Sequence, residues 1–246
     1  AAGWLAAGGA AHVVLASRRP WSGARGPGRA DALPGGVRAE VCDVSDAAQA
    51  RALIERCARL GSLRGVLHAA GARSDAVLAN QTAERMLEAM GPKVWGTRNL
   101  HASSAELAPE LRHFVCYSSA ASVLGSSGQA NYIAANAFMD AFAHHRRCLG
   151  LPALSINWGA FGGAGMFAEL SPAVQRHYAS MGARAIGMQD GLDVMGRLMR
   201  QPLPQMMVCP VDWAQYARAL PKPAGRFLAL LAPQVGAAAP QGAEGR

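Results

Sequence analysis

The chain has 246 residues, 51% of them apolar, and a formal net charge of +8. That is enough apolar material for one sizeable core, and it predicts a single α/β domain. The positive residues are scattered, without a basic helix or an aromatic-rich RNA motif, which excludes a nucleic-acid reader and leaves a surface suited to an acidic protein partner.

Residues 1–9 read as the end of a helix, with Trp4 and Leu5 on one side. His12-Val13-Val14-Leu15-Ala16-Ser17 is a short buried strand, followed at once by Arg18 and Arg19. Residues 20–36 are a Pro/Gly-rich loop, and 37–42 form a second strand ending in Asp43 and Val44. Ser45 or Asp46 caps a helix that stops at Gly61. Residues 63–69 make a third strand, closing with His68-Ala69-Ala70-Gly71. Thr82 caps the next helix, and Pro92 is expected to break it before a second helical piece that carries Lys93. A fourth strand ending at Tyr117 leads through a Gly/Ser stretch into a helix from Gln129 to the stop signal at Gly150. Residues 153–158 form another strand, 159–165 a glycine-rich turn, and 166–182, without clean periodicity, a lid. Asp190 caps a helix to Arg200, 205–211 is the last strand, and Asp212 and Trp213 open a short helix. From Pro233 the Pro/Ala/Gly/Gln composition is that of a linker, so 1–232 is expected to be the domain and 233–246 a tail. Strands alternating with helices at this spacing predict a parallel sheet covered on both faces.

The stretch Y-S-S-A-A-S-V-L-G-S-S-G-Q-A-N-Y-I-A-A-N, residues 117–136, organises the rest. Tyr132 and Asn136 are four apart and share a helix face. Ser119 lies just past the carboxyl end of the strand, the edge at which open parallel sheets bind ligands. A hydroxyl, a phenol and an amide facing one another can hold and protonate a carbonyl oxygen, given a cation to lower a phenol that titrates at about 10 on its own. Only Lys93 and Lys222 are lysines, so the other 22 of the 24 cations are arginine. In a chain so biased toward arginine, Lys93 stands out as the compact ammonium that a guanidinium cannot replace beside one phenol.

Weaker signals lie at the strand ends. Arg18 follows a strand where dinucleotide folds place the group that meets the adenosine ribose, and an arginine there suits the 2′-phosphate of NADP. Asp43 is consistent with adenine contact and equally with a turn, while Ala69-Ala70-Gly71 lets backbone approach a ribose closely. Of five cysteines without CxxC spacing, Cys42, Cys116 and Cys209 lie in strand-like runs and are expected to be buried thiols, which predicts a reducing cytoplasm. No membrane span is present, and residues 1–16 lack the basic start of a signal peptide. There is no H-E-x-x-H, paired CxxC, P-loop or G-x-S-x-G, and His144-His145 is expected to face solvent without a metal.

The order S-R-R, C-D-V, H-A-A-G, P-K-V-W-G, Y-S-S-A, G-Q-A-N-Y-I-A-A-N and N-W-G resembles the ketoreductase domain of a modular type I polyketide synthase, a branch of the short-chain dehydrogenase/reductase family with a Rossmann-like doubly wound parallel sheet. The similarity runs on through V-C-P-V-D-W at residues 208–213. Ordinary family members carry Y-x-x-x-K; here Asn136 takes the fourth place after Tyr132 and the lysine sits upstream at Lys93, an exchange characteristic of the synthase branch. The resemblance implies NADPH-dependent reduction of a β-ketoacyl chain on an acyl carrier protein. It makes Tyr132 the general acid, Lys93 the charge that lowers its pKa, Ser119 the group that orients the carbonyl and Asn136 the end of a polar relay. It sets Ser17, Arg18, Asp43, Val44, Ala69, Ala70, Gly71, Asn157, Trp158 and Gly159 beside the cofactor. Asp75, Leu124, Gln129 and Met166 fall at substrate and stereocontrol positions, Asp75 in the last place of an L-D-D motif whose neighbours here are Arg73 and Ser74. Neighbouring synthase domains in the same polypeptide are implied as partners, and neither nucleic acid nor membrane.

The front of the chain departs from the family. Members begin with a strand and a G-G-x-G-x-x-G turn whose N–H groups hold the pyrophosphate. Gly3, Gly8 and Gly9 do not match that turn and precede a strand instead of following one. With no initiating Met, the chain reads as a piece cut from something longer. The family's first strand, central between the strands at His12 and Leu63, is expected to be missing, so this polypeptide alone is expected to bind NADPH poorly. Two alternatives stay open: a free-standing short-chain dehydrogenase/reductase on small alcohols or ketones, and a non-catalytic structural domain or incapacitated fragment of a synthase.

Overall fold

A computed structural model describes residues 1–20, 36–163 and 172–220. Strands β1 (Val13–Ser17) and β2 (Val37–Val41) run parallel, in register from Val13 beside Val37 to Ser17 beside Val41. Strands β3 (Gly65–His68), β4 (His113–Ser119), β5 (Leu154–Trp158) and β6 (Gln205–Val208) form a separate sheet in that order, with β3–β4 and β4–β5 parallel. The α/β class and the parallel pairing are those the sequence predicts. Among the described residues no strand links β1 to β3, so the strands fall into two sheets, divided where the first strand is expected to be missing.

Short polar caps start the crossover helices. Asp46 accepts from the Gln49 N–H to open α2 (Ala47–Arg59), and Thr82 from the Arg85 N–H to open α3 (Ala83–Met90). A six-residue helix, α1 (Ala2–Ala7), precedes β1. Pro92 does not break the chain as expected. Over Gly91–Trp95 the helix widens into a π-turn and continues as α4 (Gly96–Leu107). An interior proline lacks an N–H and crowds the carbonyl one turn back, and the wider turn relieves both. A further short helix, α5 (Ala121–Leu124), occupies the stretch read as a Gly/Ser loop. Helix α6 (Ala130–Cys148) stops before Gly150, whose φ of +74° suits a residue without Cβ.

The main core lies between the β3–β4 face and these helices. Ile54, Val66, Leu100, Phe114, Cys116 and Met139 pack together there, with Val44, Leu63, Leu107 and Leu111 at the margin. Each such side chain contributes about 1.5–3 kcal/mol on leaving water. At Gly96 the fit is close: a Cβ would come within 2.8 Å of Val44 Cγ2 and 3.3 Å of the His68 ring. The start of α4 is thereby seated on the ends of β2 and β3.

The described residues divide into two compact units, one from those within 1–158 and 192–207, the other from those within 159–191 and 208–220. Within the second, Phe161 bridges Ile186 and Ala183 bridges Val211, and Asp212 caps α9 (Trp213–Ala219). Part of the expected lid is helical there, α7 (Pro172–Ser180). Helix α8 (Met188–Leu198) begins two residues before its expected cap, Asp190, which lies in its first turn. The loop at 21–35, Met166 within 164–171, and the tail within 221–246 lie outside the described residues.

Candidate active site

Three elements of the first unit converge at the carboxyl end of β4. The strand supplies Ser119 as its last residue, α6 supplies Tyr132 and Asn136, and the π-turn supplies Lys93. Lys93 is 2% exposed and Tyr132 9%. The Lys93 Nζ donates to the Tyr117 carbonyl at 3.0 Å and lies 5.6 Å from the centre of the Tyr132 ring. The π-turn is held from two sides. His68 Nε2 donates to the Pro92 carbonyl at 2.9 Å, and the Thr97 hydroxyl donates to the Lys93 carbonyl.

Burial sets the electrostatics. It pushes the Tyr132 phenol up, against the downward pull of Ser119, Asn136 and Arg73. The groups that pull the phenol down are therefore Ser119 and Asn136 before any distant cation. Burial also pushes Lys93 down to about 8, with Cys116 and Asp140 pulling it back. His68 is pushed down to about 4 by burial and by the Lys93 charge, so it is neutral at physiological pH. Asn136 Nδ2 donates to the Tyr132 carbonyl at 2.8 Å, and its buried Oδ1 has no protein partner. A buried phenol, a hydroxyl, an amide and an ammonium so arranged can bind a carbonyl oxygen and hand it a proton.

Behind these groups is a network that sequence reasoning missed. Asp140, four residues beyond Asn136 on α6, accepts from Ser155 Oγ at 2.6 Å, Asn157 Nδ2 at 2.7 Å and Ser122 Oγ at 2.8 Å. The Ser122 hydroxyl also lies 2.7 Å from the Ser119 carbonyl, one proton serving two acceptors. Asn157 Nδ2 reaches Ser118 Oγ at 3.1 Å, and Ser118 Oγ donates to the Asn136 carbonyl at 3.4 Å. The signal for Asp140 was its spacing, which continues the Tyr132–Asn136 stripe.

The expected cofactor positions fall into three groups. Ser17 and Arg18 are exposed at the end of β1, with Ser17 Oγ donating to the Arg19 carbonyl at 2.6 Å. Asp43 makes a turn, accepting from the Ser45 N–H at 2.9 Å; Val44 packs into the core margin, and Ala69, Ala70 and Gly71 follow β3 as irregular chain. Asn157 is fully buried with its Oδ1 accepting from Gln205, so its side chain serves the core network and not the strand edge. The Trp158 ring lies 5.7 Å from that of Tyr117. Gly159 belongs to the second unit, where a Cβ would meet Cys209 Sγ at 2.8 Å.

Two of the expected substrate positions, Asp75 and Gln129, come together at the start of α6. Gln129 Nε2 donates to Asp75 Oδ2 at 3.1 Å, the Ala76 N–H donates to the Gly128 carbonyl, and Asn131 Nδ2 bonds the Ser74 and Arg85 carbonyls. Residues 74–76 and 128–131 thus form one stitched rim. Leu124 ends α5, at the C-terminal side of Ser119.

The KR domain family matches residues 1–163. Polyketide synthase GfsB of Streptomyces halstedii is 40% identical over 223 residues, 88% of this chain and 4% of that protein. Mycoketide-CoA synthase of Mycobacterium tuberculosis is 36% identical over 213 residues, 84% of this chain and 5% of that protein. A solved structure of A-type ketoreductases from a modular polyketide synthase superposes with a TM-score of 0.79 at 36% identity, covering 89% of this chain and 46% of its own. An A1-type ketoreductase gives 0.79 at 33% identity, covering 94% and 50%. The chain spans a few per cent of the synthases' length and about half of those solved chains.

Proposed function

Because the chain belongs to the KR domain family, the polyketide-synthase ketoreductases of the short-chain dehydrogenase/reductase superfamily, we propose that it reduces a β-ketoacyl thioester on an acyl carrier protein to the β-hydroxyacyl thioester, with NADPH as reductant. The observation that carries this reading is the meeting of Lys93, Ser119, Tyr132 and Asn136 at one strand end.

Residues present suit the cofactor's adenosine end. Arg18 is an exposed cation for a 2′-phosphate, and Ala69, Ala70 and Gly71 carry little side chain to hold a ribose away. When bound, NADPH supplies a hydride to the carbonyl carbon. Ser119 donates to the ketone oxygen and sets its angle toward the Tyr132 phenol. As charge develops on that oxygen, Tyr132 gives up its proton, and the phenolate left behind is stabilised by the Lys93 ammonium and the Asn136 amide. The raised phenol suits this role, because an acid that holds its proton in the resting state has it to give. The rim of Asp75 and Gln129 borders the acyl chain. A basic surface of net charge +8 favours encounter with an acidic carrier. Free cysteines, two of them buried, suit a reducing cytoplasm.

One observation favours a second reading, that this chain by itself is incapacitated. The sheet is divided between β1 and β3, and no G-x-G-x-x-G turn follows a strand among the described residues. Calorimetric titration with NADPH, on this chain and on one continuing upstream of Ala1, separates the two. Micromolar binding confined to the longer chain, together with NADPH oxidation on a β-ketoacyl thioester, is the expected result. Tight binding by the short chain overturns the second reading; an inert longer chain overturns the first.

A further inference from the structure

Asp140 takes no part in the reaction just described, yet it is only 7% exposed and has three donors on its carboxylate. Those donors come from two elements: Ser122 from α5, Ser155 and Asn157 from β5. Two of them lead back to the site. Asn157 Nδ2 touches Ser118 Oγ and lies 3.4 Å from the Ser119 carbonyl, and Ser122 Oγ lies 2.7 Å from that carbonyl. The backbone that presents the Ser119 hydroxyl is therefore gripped by groups that Asp140 anchors.

Charge gives Asp140 a second line of action. The titratable groups that act on Lys93 or feel its charge are His68 on β3, Cys116 on β4 and Asp140 on α6, with the Tyr132 ring beside the amine. The Cys116 thiol is pushed up to about 12 by burial and His68 is pushed down to about 4, so both are neutral in the physiological range. Tyr132 is raised by burial and is neutral as well. Arg146, which acts on Cys116, is positive. Among these groups the only negative charge at neutral pH is the Asp140 carboxylate.

We propose that Asp140 is a positioning residue of the reductase site: it anchors the Asn157 and Ser122 groups that fix the end of β4. The consequence for catalysis rests on the reductase reading above; the consequence for Lys93 does not. A purely structural carboxylate would affect stability and leave the amine's titration where it is.

The chain has two lysines, Lys93 and Lys222, so selective isotope labelling of lysine gives two side-chain resonances, and Lys93→Met assigns them. In Asp140→Asn the Lys93 midpoint is expected to fall by about one pH unit, the effect of removing a nearby opposite charge. Lengthening the carboxylate in Asp140→Glu keeps the charge and displaces the hydrogen bonds. It should hold the midpoint within a few tenths of a unit, and it supplies the test if Asp140→Asn does not fold. In a reducing, synthase-length protein, Asp140→Asn should lower kcat about tenfold and move the alkaline limb of the pH profile to lower pH, with the KM for NADPH within about twofold. A Lys93 midpoint unmoved in Asp140→Asn, or one that falls equally in Asp140→Glu, overturns the charge inference whether or not the protein reduces ketones. A midpoint that falls in Asp140→Asn, when the synthase-length wild type shows no ketone reduction, overturns the reductase reading alone.

Discussion

The strand pair at the front and the strands around the site handle polar groups in opposite ways. Of the ten residues in β1 and β2, only Val13 is buried. All five residues of β5 are buried, and Ser118, Asn131, Asn136, Asp140, Ser155 and Asn157 are buried around it, each hydrogen-bonded. The groups proposed to handle the proton thus sit in a low-dielectric interior where each polar partner counts, while the groups suited to a cofactor's adenosine end sit on exposed strand ends where charge is screened. Substitutions on the inner side should have large effects on rate or stability. Those on the outer side should be mild and salt-dependent.

The largest expected effect is at the phenol. Tyr132→Phe removes one oxygen, keeps the ring beside Lys93 and should lower ketone reduction by about a hundredfold to ten-thousandfold, the range of general acid catalysis. Steady-state NADPH oxidation with a β-ketoacyl thioester reads it, and a loss below tenfold would mean the proton comes from another group. Lys93→Met should abolish reduction and also stabilise the fold. The buried amine holds its proton only to about pH 8, whereas the unfolded chain holds it to the ordinary lysine range. The unfolded state therefore binds more protons between those limits, and wild-type stability rises with pH across them by about 3 kcal/mol. Below pH 8 that penalty is fully present in the wild type and absent from the variant. Chemical denaturation at pH 7 should show Lys93→Met more stable by up to about 3 kcal/mol, with the two converging as pH rises.

What the letters revealed and what they hid follow the same division. Ser119, Tyr132 and Asn136 were legible because strand end and helix spacing are short-range properties, and helix starts at Asp46, Thr82 and Asp212 were legible because a cap is one residue. Pro92 misled, since a proline signals a break and nothing local distinguishes that from a widened turn; the ties from His68 and Thr97 are tertiary. Asn157 was read as a cofactor neighbour from its N-W-G setting. In a strand buried at every residue its amide turns inward to Asp140 and Gln205, which only the packing of α6 and β6 makes possible. Asp140 carried no motif at all, only a continued spacing.

A smaller effect is expected at His68, which tests whether the inner region resists acid. The folded ring takes a proton only at about pH 4, the unfolded ring at its ordinary value near neutrality. As pH falls from 7 toward 4 the unfolded state gains a proton that the folded state refuses, so stability is lost across that window, by about 3 kcal/mol if His68 acts alone. His68→Gln keeps an N–H for the Pro92 carbonyl and cannot titrate. The difference in stability between wild type and variant should therefore change steadily between pH 7 and 4 and level off below. A difference independent of pH would mean that the ring is protonated within the fold, with the Lys93 charge beside it.

The smallest effect is expected on the outer side, at Arg18. Its side chain is exposed, so replacing it disturbs no packing, and Arg18→Asp should leave the melting temperature within about a degree. If the chain or one extended from it binds the cofactor, Arg18→Asp should reduce the preference for NADPH over NADH about tenfold, since an acid suits a free 2′-hydroxyl and repels a 2′-phosphate. The wild-type preference should shrink as salt is raised, because a contact on the surface is screened by the solvent around it. A preference insensitive to salt, or a loss of folding in Arg18→Asp, would mean that this strand end is as enclosed as β5, and the contrast between the two regions would fail at its outer edge.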